Sequence, residues 1–155
     1  VAVMLPVTFL ALIGGGLVAT LLGVEAPQVL PPPETAADLL AVAIAAAVLA
    51  PIGEEFFFRA FALTAWLRDL GARSALIRST AFFAVVHLLT ITTTDFVTGL
   101  LQAILVLTVI VPVGFVLGWL YLRRGLVAAI TGHFAYNGIL LALLQLAQQL
   151  GPLPN

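Results

Sequence analysis

Apolar residues fall in long blocks along this chain, separated by short polar or proline-bearing stretches. The first block runs from Val1 to Val24, and Gly14-Gly15-Gly16 in its middle would loosen a helix or admit a close neighbour. No short apolar core followed by a cleavage site is present, so the block predicts a transmembrane helix rather than a signal peptide. EAPQVLPPPET, from Glu25 to Thr35, follows, and its four prolines predict a stiff connection. Ala36 to Leu67 is then apolar for 32 residues. As one straight helix that is roughly 48 Å, too long for one untilted crossing of a hydrocarbon core of about 30 Å. Pro51-Ile52-Gly53 predicts a break or kink inside it. Further spans are expected over Ser74 to Thr92, Phe96 to Leu122 with Pro112 inside, and Leu126 to Leu150, before GPLPN as a polar stop. The pattern predicts an all-α, polytopic membrane helix bundle of about five transmembrane spans with a kink at Pro51-Gly53, forming a single domain over 1–155. The chain begins at Val1 rather than Met, so further sequence is expected upstream.

Composition agrees with the pattern. Of 155 residues, 63% are hydrophobic and 8% charged, too few polar groups to cover a water-facing surface. Six arginines against seven acids leave no basic face for nucleic acid. With no cysteine, thiol catalysis, disulfides and Cys-ligated metal are excluded. Arg68, Arg73 and Arg78 surround the loop after the second span, and Arg123 and Arg124 lie in the loop after the fourth. Excess arginine marks cytoplasmic loops, so the N-terminus is expected in the cytoplasm and the C-terminus outside.

Ionisable groups at membrane depth are costly and by default mark a functional site. Here they are Glu54, Glu55 and Arg59 in the second span, His87 in the third, and His133 with Asn137 in the fifth. Counted from the arginines at each span end at 1.5 Å per residue, Glu54 lies roughly 21 Å deep, His87 and His133 roughly 14 Å, and Asn137 roughly 20 Å. Three spans therefore supply polar groups to one slab of membrane. Glu55 and Arg59, Phe83 and His87, and His133 and Asn137 are each four residues apart and share a helix face. Glu55 is assigned as the partner of Arg59, which leaves Glu54 facing the histidines; the reverse assignment stays open.

A carboxylate and two imidazoles can hold and deprotonate a water for attack on a peptide carbonyl, with His or Asn donating to the tetrahedral oxyanion. Glu54, His87 and His133 are also a ligand set for catalytic Zn²⁺, and the residues alone do not separate the two routes. Competing chemistries lack their parts. There is no HExxH, the only serines are Ser74 and Ser79, and Asp38, Asp69 and Asp95 sit near span ends.

EEFFFR (Glu54 to Arg59), FAVVH (Phe83 to His87) and HFAYN (His133 to Asn137) resemble, in order, the EExxxR, FxxxH and HxxxN signatures of the CPBP intramembrane proteases. That family contains the type II CAAX prenyl endopeptidases and the Abi bacteriocin-processing and immunity proteins. The resemblance covers a protease core from Pro51 to Leu141. It implies a multi-helix fold with its site in a cavity open toward one face, in the bacterial plasma membrane, and a peptide or protein substrate, C-terminally lipidated in the prenyl branch. By the same resemblance Glu54 activates water with help from His87, His133 and Asn137 stabilise the oxyanion, and Glu55 with Arg59 and Phe83 support them. Zinc is one cofactor reading of the family and a metal-free glutamate mechanism the other. Two other functions stay in view: a non-catalytic bacteriocin self-immunity protein keeping the scaffold, and a small ion- or proton-coupled transporter using the same buried groups as a relay.

Overall fold

The computed structural model describes residues 2–28 and 33–150, with side chains as far as 146. The polar stop at 151–155 and the middle of the proline-rich connection, 29–32, lie outside the described residues. Among the described residues the chain is all helical: α1 Met4–Leu22, α2 Ala36–Ile44, α3 Ala50–Glu55, α4 Thr64–His87, α5 Phe96–Arg124 and α6 Leu126–Leu150. Four helical stretches are long and apolar enough to cross a membrane, of which the second, Ala36–Thr90, has 55 residues.

That second stretch, roughly 80 Å if straight, exceeds any single crossing. It turns back at Gly71, whose φ of 74° and ψ of 167° lie outside helical space in a region that only glycine occupies readily. The two arms then run antiparallel: Ser79 Oγ donates to the Phe58 carbonyl at 2.9 Å, and Phe82 packs on both Phe57 and Phe58. With the hairpin counted as two crossings, the four stretches give the five spans expected. Gly125, at φ 82° and ψ −177°, makes the same kind of turn between α5 and α6. Both turns sit among the arginines, Arg68 and Arg73 around one and Arg123 and Arg124 before the other.

Pro51-Gly53 does not break the helix. The chain stays helical from Ala36 through α3, and the irregularity expected there is carried by π-helical turns on either side, Ala45–Leu49 and Phe56–Leu63. A proline has no N–H and its ring crowds the carbonyl four residues back, and a widened turn just before it accommodates both without a break. The third span also ends earlier than expected, since α4 closes at His87 with a 3₁₀ turn, Leu88–Thr90, after it. Asp95 caps α5 through the Thr98 N–H at 2.7 Å, and Thr35 and Asp38 form a capping box at the start of α2.

Glycines set the closest approaches. A Cβ on Gly118 would come within 2.6 Å of Leu76, and one on Gly114 within 2.8 Å of Phe83, so these small residues of α5 admit the side chains of α4. A core of Met4, Ala11, Val113, Leu117, Leu120 and Tyr136 joins α1, α5 and α6. Elsewhere large apolar side chains such as Leu10, Leu21, Phe61, Leu89 and Phe96 point outward, as lipid-facing surfaces require.

Candidate active site

At the junction of α3 with the following π segment, adjacent residues face different neighbours. Glu55 and Arg59 are wholly buried, with Arg59 Nη1 3.2 Å from Glu55 Oε1. Arg59 Nη2 donates to the Gly114 carbonyl at 3.0 Å, and its guanidinium lies 4.4 Å from the centre of the Phe83 ring. The guanidinium is thus held by a carboxylate, a backbone carbonyl and an aromatic face, the partners that make a buried charge tolerable. Gly114 has a double part here: it gives Arg59 its carbonyl, and its missing side chain leaves room for Phe83.

Glu54, one residue earlier, is about one-third exposed and faces the other way. Its Oε2 lies 3.9 Å from His87 Nε2 and 3.8 Å from His133 Nε2. These separations are too long for direct hydrogen bonds. Glu54 Oε2 has no hydrogen-bond partner of its own.

Both imidazoles are oriented by their far nitrogens. His87 Nδ1 lies 2.7 Å from the Phe83 carbonyl, which can only accept, so Nδ1 carries a proton and Nε2 is left toward Glu54. His133 Nδ1 lies 2.9 Å from Glu55 Oε1 and donates to that carboxylate, which leaves its Nε2 toward Glu54 as well. Glu55 therefore serves two partners, Arg59 and His133, where the sequence assigned it only the first. Phe83 fills the space behind both rings, 4.2 Å from His87 and 6.1 Å from His133 between centres.

Six of the seven residues singled out from the sequence, Glu54, Glu55, Arg59, Phe83, His87 and His133, thus form one contiguous cluster. Asn137 is engaged elsewhere: its Nδ2 donates to the carbonyl of Ala46 at 2.7 Å. A cavity of about 180 Å³, lined by Glu54, Phe58, Val86, His87 and Thr90, opens beside the cluster.

Some of the framework carried no sequence signal. The Gly114 carbonyl is a backbone atom, and Thr64 with Tyr121, joined at 2.7 Å, reads as ordinary span-end polarity. Phe58 is buried against Phe82 and Phe83, whereas Phe56 and Phe57 stay exposed. Among the described residues no group of three His, Asp or Glu side chains is set to hold a metal ion.

The structure thus defines a polytopic helical membrane protein with a buried carboxylate and imidazole cluster fed by a small cavity. Residues 36–139 match the family described as type II CAAX prenyl endopeptidase Rce1-like, and the chain belongs to that family. No curated protein and no solved structure matches the chain.

Proposed function

We propose that the chain is an intramembrane endopeptidase in which Glu54 activates water for attack on a peptide bond. The observation that supports this most is that the Nε2 atoms of His87 and His133 both lie within 3.9 Å of Glu54 Oε2, with Glu54 and His87 lining the cavity. Glu54 Oε2 has no hydrogen-bond donor of its own, and a water entering from the cavity supplies one. A water between Glu54 and His87 gives one proton to the Glu54 carboxylate as its oxygen attacks the carbonyl carbon. The resulting oxyanion forms beside His133, whose ring Glu55 holds at Nδ1, and takes a hydrogen bond from its Nε2 when that nitrogen carries a proton. Collapse breaks the C–N bond, and the leaving amine takes the proton back from Glu54. Arg59 and Phe83 hold Glu55 and the rings in place and do not touch the substrate.

The substrate is a peptide or protein segment at the membrane, and a C-terminally lipidated one fits the family's prenyl endopeptidase branch. Zinc held by Glu54, His87 and His133 is the second cofactor reading. It draws on the same nearness of the two imidazoles to Glu54, although as placed the three do not make a metal-holding set. Cleavage of a panel of lipidated and unlipidated peptides by the protein in proteoliposomes, with and without a chelator, separates the readings. The glutamate reading expects full activity in chelator and its loss in His87→Ala and His133→Ala. Activity abolished by chelator and restored by Zn²⁺ would establish the metal route instead, and activity surviving both substitutions would remove the site.

A further inference from the structure

The geometry points to Asn137 as a positioning residue that holds the Glu54-bearing helix in register by replacing the hydrogen bond Pro51 cannot make. In the π segment Ala45–Leu49 the N–H of Ala50 bonds the carbonyl of Ala45, five residues back. The next bond of that ladder would run from residue 51 to the carbonyl of Ala46. Residue 51 is proline and has no N–H. The Ala46 carbonyl thus orphaned is the one that Asn137 Nδ2 meets at 2.7 Å.

In hydrocarbon an unpaired carbonyl has no water to turn to, so a side-chain donor at this point is worth more than at a soluble surface. The segment has little else to fix it. None of the residues of Ala45–Leu49 is buried, and outside its own helix it packs against α6. Apolar contacts alone give weak orientation among lipid tails of the same character. α6 thus grips one continuous helix at two points, Ala46 through Asn137 and Glu55 through His133, with Pro51 and Glu54 between them. Removing the Asn137 tie frees the helix to pivot about the proline and moves the Glu54 carboxylate relative to His87 and His133.

This inference rests on Glu54 as the base for its effect on rate, but the tie itself is testable without catalysis. The test is a double-mutant cycle between Asn137→Ala and Pro51→Ala, because alanine at 51 restores the N–H that can reach Ala46. In full-length protein in proteoliposomes, Asn137→Ala is expected to lower kcat by about 10²-fold, the scale of an ångström-sized misplacement, with KM little changed. In the Pro51→Ala background the same substitution is expected to cost far less. The thermal midpoint in detergent should follow the same cycle, falling on Asn137→Ala in the proline chain and hardly moving in the alanine chain. Equal losses of kcat and of midpoint in both backgrounds would show that Asn137 does not act through the Ala46 carbonyl. Equal losses of kcat alone, with a coupled midpoint, would overturn the link to Glu54 while leaving the tie. If Glu54→Gln still cleaves, the base assignment fails, and the midpoint cycle decides the tie by itself.

Discussion

Two adjacent glutamates in an apolar helix do separate work because successive helical residues point about 100° apart. Glu55 is wholly buried and shared between Arg59 and His133, whereas Glu54 is partly exposed beside the cavity. Taking away one partner of a buried ion pair leaves an uncompensated charge, so Arg59→Met should destabilise the protein by about 3–5 kcal/mol. Thermal unfolding in detergent measures it, and Glu55→Gln in the same chain should recover part of the loss. A loss under 1 kcal/mol would mean that Arg59 is not held as the geometry has it. The pairing was legible in the sequence because four-residue spacing on a helix is a strong constraint. The tie from Asn137 was not: its partner is a backbone atom whose exposure depends on a π turn, and no side-chain pattern encodes that. The nearest sequence signal was Pro51, five residues beyond Ala46.

Among the elements, the two tight turns are decided by single glycines. Gly71 sits at φ 74°, ψ 167°, so Gly71→Ala should cost about 1–3 kcal/mol in backbone strain, read as a lower thermal midpoint. An unchanged midpoint would show that the hairpin does not depend on that conformation. At the other end of α4's neighbour, the Thr98 N–H bonded to Asp95 holds that exposed carboxyl below the usual carboxylate range. A lowered pKa in the folded state means that this cap stabilises above the ordinary carboxylate pKa and is lost as pH falls through the lowered value. Asp95→Ala should therefore lower the thermal midpoint at pH 7 and make no difference once the carboxyl is protonated in both states. A gap that persists undiminished into strong acid would contradict the cap. Span positions were legible because hydrocarbon demands long apolar runs, but Pro51 misled as a break point. Proline constrains one N–H and one ring contact, and a π turn absorbs both while the helix continues.

For the molecule as a whole, Arg68, Arg73, Arg123 and Arg124 lie with the two glycine turns on one side, and the loop carrying Asp95 lies on the other. By the positive-inside rule we propose that the arginine side faces the cytoplasm. The chain has no cysteine, so single cysteines report position cleanly. In intact cells a membrane-impermeant maleimide should label Thr94→Cys and should reach Ala72→Cys only after permeabilisation; the opposite result would invert the orientation. The cluster's existence was visible in sequence as three motifs on three spans. Its orientation was not, because the rotation of each imidazole is set by partners, the Phe83 carbonyl and Glu55, that only the packed bundle supplies.

The central claim is that Glu54 is the group that takes the proton from the attacking water. Its most direct test is kcat/KM for wild type and Glu54→Gln, measured side by side in proteoliposomes on a cleaved peptide, with folding of both checked by thermal midpoint. Glutamine keeps the shape and removes the base, so the account predicts a loss of about 10²- to 10⁴-fold with the midpoint retained. A Glu54→Gln protein that cleaves within a few-fold of wild type would contradict it.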